Sequence, residues 1–89
     1  MGDWFVYILQ CRDKTFYTGV TTDIGRRLHE HNETSLGAKY TRSRRPVKLV
    51  YLVDCNSRSD ATRLEYKVRK LSRLDKINLI ENYSREPGH

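Results

Sequence analysis

Trp4-Phe5-Val6-Tyr7-Ile8-Leu9-Gln10-Cys11-Arg12-Asp13-Lys14-Thr15-Phe16-Tyr17-Thr18-Gly19 is the stretch whose reading decides the fold. Its first eight residues are β-branched and aromatic and too short for a lone helix, so they predict a largely buried strand. Arg12-Asp13-Lys14 supplies a polar turn, and Thr15-Phe16-Tyr17-Thr18 resumes strand character until Gly19. The two runs predict an antiparallel hairpin. Its parity stays open: a loop of two or four residues sends Tyr7 and Tyr17 to opposite faces, whereas an odd loop or a bulge puts both phenols on one face.

Outward from the hairpin, Val47-Lys48-Leu49-Val50-Tyr51-Leu52-Val53 predicts a third strand, set off by Pro46 before it and a polar segment after it. Asp23 is a good N-cap for a helix ending near His31. Residues 57–60 give a polar start to a second helix, in which Ala61, Leu64, Val68 and Leu71 keep the helical period. Ser72 with Asp75 three residues on resembles a capping box and opens a third helix to about Asn82. Residues 33–45 read as a loop. The order β-β-α-β-α-α predicts an α+β domain with a small antiparallel sheet. The domain is expected over residues 1–83, with 84–89 a frayed tail containing Pro87 and Gly88.

Eighty-nine residues, 37% hydrophobic, suit one domain with a thin core. No run approaches the ~20 apolar residues of a membrane span, and Met1-Gly2-Asp3-Trp4 does not begin a secretory signal. Two cysteines, Cys11 and Cys55, without a CxxC pair argue against a disulfide scaffold or a zinc knuckle. A reduced cytoplasmic setting is the expectation. Seventeen Lys and Arg against eleven Asp and Glu give a net charge of +6. That balance favours a polyanionic partner, nucleic acid ahead of an acidic surface.

Three sets of polar residues stand where chemistry could occur. On a wheel of ~100° per residue, His31 lies about 20° from Ile24 and Arg27 about 60°, on the side away from Leu28. They form an i,i+4 pair at the edge of the buried stripe; the plainer reading has His31 topping the core and Arg27 snorkelling to water. Glu65 lies at the margin of the second helix's apolar stripe. It can pair with Arg69 at i+4, or hold a hard divalent cation such as Mg²⁺. The run from Lys39 through Tyr40, Arg42, Arg44 and Arg45 to Lys48 holds five basic residues, no acid and interleaved hydroxyls. Such a mixture suits phosphate contacts, although a solvated loop would look the same.

Val6-Tyr7-Ile8, then Tyr17-Thr18-Gly19, then Arg27 with His31 and a later helical Glu65, resembles the GIY-YIG nuclease family in order and spacing, over residues 4–83. The wording of YTGVTTD, GAKYTRSRRPVKLVY and LEYKVRKLSR is similar to that of its small stand-alone bacterial members. The chain departs from many members at Val20, where a Lys often follows the second motif, and at Ile77, where some carry Asn and this chain has Asn78 one position on. The resemblance implies a three-stranded antiparallel sheet flanked by helices and hydrolysis of DNA phosphodiesters with one divalent metal, Mg²⁺ or Mn²⁺. It implies Tyr7 as the phenol that activates water and Tyr17 as the group that orients it. His31 is implied to relay the proton, Arg27 to stabilise phosphate and Glu65 to bind the metal. Phosphate contacts are expected from Lys39, Tyr40, Arg42, Arg44, Arg45 and Lys48.

Few residues remain to read base edges, so structure-specific or non-specific cleavage, in repair or recombination, is expected over recognition of a long site. RNA is left open as a substrate, and a protein partner could supply specificity. The alternatives are a nucleic-acid-binding module of the same fold without catalysis, or an adaptor that recruits repair factors.

Overall fold

A computed structural model of the protein describes residues 2–85. The chain forms strands β1 (Trp4–Gln10) and β2 (Phe16–Thr21), helices α1 (Ile24–Glu33) and α2 (Lys39–Arg42), strand β3 (Lys48–Cys55), and helices α3 (Arg58–Lys70) and α4 (Arg73–Arg85). The strands make one antiparallel sheet in the order β2-β1-β3. This is the expected α+β architecture. Helix α1 covers one face and α3 with α4 the other, because β1 is apolar on both sides: Tyr7 and Leu9 pack with Ile24 and Leu28, while Ile8 packs with Leu64, Val68, Leu79 and Ile80. No helix among the described residues is long and apolar enough to cross a membrane.

The loop settles the parity left open above. Gln10 pairs with Phe16 and Leu9 with Tyr17, so five residues, 11–15, join the strands. The loop closes through Cys11 N–H to Thr15 O at 2.8 Å and Lys14 N–H to Cys11 O at 2.9 Å, with Lys14 at φ 71°. The Asp13 carboxylate accepts from the Thr15 N–H at 3.2 Å and its hydroxyl at 2.6 Å. An odd loop puts Tyr7, Leu9 and Tyr17 on one face.

On the other side of β1 the pairing shifts by one residue between Ile8–Tyr51 and Leu9–Leu49. This bulge lets Leu49 and Leu52 join the Tyr7 face while Val50, Tyr51 and Val53 serve the Ile8 face. Simple alternation over β3 would have split Leu49 from Leu52.

Three helix starts follow the expected chemistry. Asp23 accepts from the Arg26 N–H at 3.0 Å, Ser57 from the Asp60 N–H at 3.1 Å and Ser72 from the Asp75 N–H at 3.1 Å. The ends differ. Helix α1 continues two residues past His31, and α4 runs past Asn82 through Ser84, whose hydroxyl donates to Ile80 O. Ser84 is therefore helical rather than frayed, and residues 86–89 of the expected tail lie outside the described residues, as does Met1. Within the expected loop 33–45, residues 39–42 form the single turn α2, too short to carry a periodic signal.

Register also explains Gly19, the cross-strand partner of Tyr7. The Tyr7 ring leans over it so closely that a Cβ at Gly19 would stand 2.3 Å from the phenol oxygen and 2.5 Å from Cζ. Gly19→Ala should therefore displace the ring and cost about 1–3 kcal/mol, as overpacking does. Urea denaturation measures this, and a loss under about 0.5 kcal/mol would mean that the Tyr7 ring has room to move.

Candidate active site

Four of the expected site residues meet on the α1 face of the sheet. Tyr7, 1% exposed, stands mid-strand in β1. Tyr17 lies diagonally across on β2, with ring centroids 6.4 Å apart. Helix α1 brings His31 to both, at 5.9 Å from the Tyr7 ring and 5.2 Å from the Tyr17 ring. The Tyr7 hydroxyl is 3.0 Å from His31 Nε2. Arg27, one turn before His31, donates from Nη1 to Glu30 Oε1 and to Leu36 O, both at 2.9 Å.

His31 is fully buried, so its plain role as a core residue and its role as a partner of Tyr7 coexist. Burial, reinforced by the Arg27 charge, lowers its pKa from 6.5 to about 4. Burial also raises the Tyr7 phenol above its ordinary value, a rise that the neighbouring Arg27 guanidinium only partly offsets. The pair rests as neutral phenol and neutral imidazole.

Glu65 comes from the opposite face, on α3. Its side chain is 18% exposed and accepts from Arg69 Nε at 2.9 Å, the i,i+4 pair anticipated above. Arg69 in turn lines a cleft of about 160 Å³ with Phe16, Tyr17, Thr18, Tyr40 and Lys76. The cleft lies at β2, one of the two edge strands, and reaches α3 at Arg69, the partner of Glu65; Glu65 itself is not in its lining. No group of three or more His, Cys, Asp or Glu residues able to hold a metal occurs among the described residues. A lone carboxylate fits a hard cation such as Mg²⁺, which keeps most of its waters and completes its shell from substrate phosphate. It does not fit zinc.

The basic run divides. Lys39, Arg42 and Lys48 are exposed. Tyr40, 38% exposed, stacks on Tyr17 at 6.1 Å, and Arg44 lies 4.0 Å over the Tyr40 ring while bonding Asp13 at 3.1 Å and Tyr40 O at 2.8 Å. Arg45 departs from expectation. Its Nε and Nη2 donate to the carbonyls of Glu30, His31 and Thr34 at the end of α1 and so tie down the helix that carries His31; Glu30 O also accepts from the Thr34 N–H and hydroxyl. Glu30, Thr41 and Lys76 were not singled out by sequence. None has a periodic or motif signal; each is placed by tertiary contact alone.

A model of the GIY-YIG catalytic domain matches residues 3–78. The UPF0213 protein DP2720 of Desulfotalea psychrophila is 55% identical over 78 residues, covering 88% of this chain and 71% of that protein. A UPF0213 protein of Syntrophus aciditrophicus is 53% identical over 81 residues, covering 91% and 93%. The solution NMR structure of the UPF0213 protein BH0048 from Bacillus halodurans is 46% identical, covers 88% and 82% of the two chains and superposes with a TM-score of 0.57. That of EF2693 from E. faecalis is 39% identical, covers 96% and 90%, and gives 0.61.

Neutral burial of His31 couples stability to pH. With a pKa of about 4 folded and 6.5 unfolded, the unfolded chain binds more protons between these values. The contribution is complete above about pH 6.5 and is lost as pH falls toward 4, by about 3 kcal/mol at full protonation. Urea midpoints from pH 7 to 4 should fall in the native protein, and His31→Gln should flatten that part of the slope. An equal slope in both proteins would assign the acid sensitivity to carboxylates.

Proposed function

The chain belongs to the GIY-YIG nuclease family, and from that premise we propose that it is a divalent-metal-dependent endonuclease that hydrolyses phosphodiester bonds of DNA. The observation that carries this reading is the buried Tyr7 hydroxyl 3.0 Å from His31 Nε2, on the face that also holds Tyr17 and Arg27. A phenol whose pKa is raised is a poor base alone at neutral pH. A neutral imidazole in contact with it can take its proton as the phenol takes one from water, so no free phenolate has to accumulate.

In this reading Tyr7 oxygen accepts a proton from the attacking water and passes its own to His31 Nε2. Tyr17 orients the water. Arg27 offers a planar fork to the phosphate oxygens, a geometry that Lys would not reproduce. Glu65 would hold the divalent ion, which would stabilise negative charge on the phosphate and the leaving oxygen. Arg69 and Lys76 line the cleft beside Tyr17, and Arg44 lies over the Tyr40 ring that stacks on it, so positive charge gathers at the edge of β2, which supports a strand path there. Lys48 lies on β3, at the far edge of the sheet. The side chains gathered at this edge suit phosphate contacts more than base edges, which favours substrate choice by DNA structure, as in repair or recombination.

A panel of labelled duplex, flap, branched and single-stranded DNA tests this, with Mg²⁺ or Mn²⁺ and with EDTA. Cleavage of at least one substrate is expected with metal and none with EDTA. Binding without cleavage across the whole panel would favour a binding module. Glu65→Gln should keep the fold, since it removes only an i,i+4 pair of about 0.3–0.5 kcal/mol. DNA binding should persist while cleavage drops about 10²-fold or more. Full nicking by the Gln variant would overturn the metal assignment.

A further inference from the structure

Behind His31, on the side away from Tyr7, stands a group outside the constellation above. Thr41, in the single turn α2, is fully buried. Its hydroxyl oxygen is 2.9 Å from His31 Nδ1 and 2.9 Å from Ala38 O. We infer that Thr41 is the positioning residue that fixes the His31 tautomer, holding the proton on Nδ1 so that Nε2 is free to accept from Tyr7.

For the neutral ring, only one assignment of protons satisfies all three short contacts. The Thr41 hydroxyl owns a single hydrogen, and a carbonyl oxygen owns none. The 2.9 Å approach of Oγ1 to Ala38 O is attractive only if that hydrogen lies between them; without it, two lone pairs face each other. With the hydroxyl hydrogen so placed, the 2.9 Å contact to His31 requires the ring to donate from Nδ1. The ring then has its lone pair on Nε2, and the 3.0 Å contact there is donated by Tyr7. The resulting chain runs one way, from Tyr7 O–H to His31, from His31 Nδ1–H to Thr41, and from Thr41 O–H to Ala38 O. The Ala38 N–H also approaches Nδ1, at 3.4 Å, and pulls toward the opposite tautomer. That tautomer would keep the contacts to Tyr7 and Thr41 with their directions reversed and would lose the 2.9 Å bond from Thr41 to Ala38 O, so the choice lies between that bond and the 3.4 Å approach, and the shorter one prevails.

The same hydroxyl serves the protonated ring. Once His31 has taken the Tyr7 proton, both ring nitrogens donate, and Nδ1–H needs an acceptor in a buried place. Thr41 oxygen is that acceptor, with its own hydrogen already committed to Ala38 O.

The functional half of this inference rests on the nuclease reading; the tautomer does not, so the test has two arms. Thr41→Val keeps shape and removes the hydroxyl. It orphans no carbonyl, because Ala38 O still accepts from the Thr41 and Arg42 N–H groups at 3.1 and 3.3 Å. Thr41→Ser keeps the hydroxyl. In protein labelled with ¹⁵N-histidine, the His31 ring should show Nδ1–H in the native protein and in Thr41→Ser. In Thr41→Val it should shift toward Nε2–H. In single-turnover and steady-state cleavage, Thr41→Val should lower kcat about 10–100-fold with KM little changed, as losing the partner that orients a working imidazole does, and Thr41→Ser should restore it. A native ring protonated on Nε2, or an unchanged tautomer in Thr41→Val, would overturn the inference. The expected ring spectra together with no cleavage by any variant would sink the nuclease reading and leave the positioning role standing.

Discussion

The hydrogen bond between the Tyr7 hydroxyl and His31 Nε2 is the contact on which the arrangement turns. It joins the central strand to α1 across a buried interface, and both side chains are essentially removed from water. Much of the surrounding structure exists to permit it. The five-residue hairpin loop puts Tyr17 on the same face, and Gly19 leaves room for the Tyr7 ring. Arg45 ties down the end of α1 through three carbonyls, and Thr41 backs the imidazole from behind. A buried polar pair is costly unless every partner is present. Here no buried side-chain nitrogen or oxygen among the described residues lacks one.

The electrostatics make this pair quiet at rest. Desolvation disfavours both the phenolate and the imidazolium, and Arg27 adds to the depression of His31. The proton therefore stays on Tyr7 in the free protein. An incoming phosphate would neutralise part of the Arg27 charge and relieve that depression of the imidazole. In the proposed reaction such a site would hold back its base until an anion arrives.

Much of this was legible in the residues and some of it was not, for identifiable reasons. The three strands announced themselves by composition, and the caps at Asp23, Ser57 and Ser72 by the need of helix starts for acceptors. The i,i+4 spacing put Arg27 and His31 on the sheet-facing side of α1, with His31 buried more deeply than an edge position implies. Hairpin parity was undecidable because period-two patterning says which residues share a face within a strand, not between strands. The bulge opposite Leu9 broke the alternation on β3 in a way that no run of apolar residues reveals. Arg45 and Arg44 looked alike in the basic run, yet one caps α1 and the other stacks on Tyr40. Thr41 sat in a segment with no period at all, and its value comes entirely from what the fold places beside it.

The central claim is that Tyr7 and His31 act as a single proton-accepting unit in phosphodiester hydrolysis. Single-turnover cleavage of one substrate by the native protein, Tyr7→Phe, His31→Gln and the double variant measures it most directly. Tyr7→Phe keeps the ring and removes only the hydroxyl. Each single variant is predicted to lose about 10²–10⁴ in rate, with the double little worse than either, as partners in one step behave. Losses that multiply in the double variant, or a Tyr7→Phe protein that cleaves at the native rate, would contradict the account.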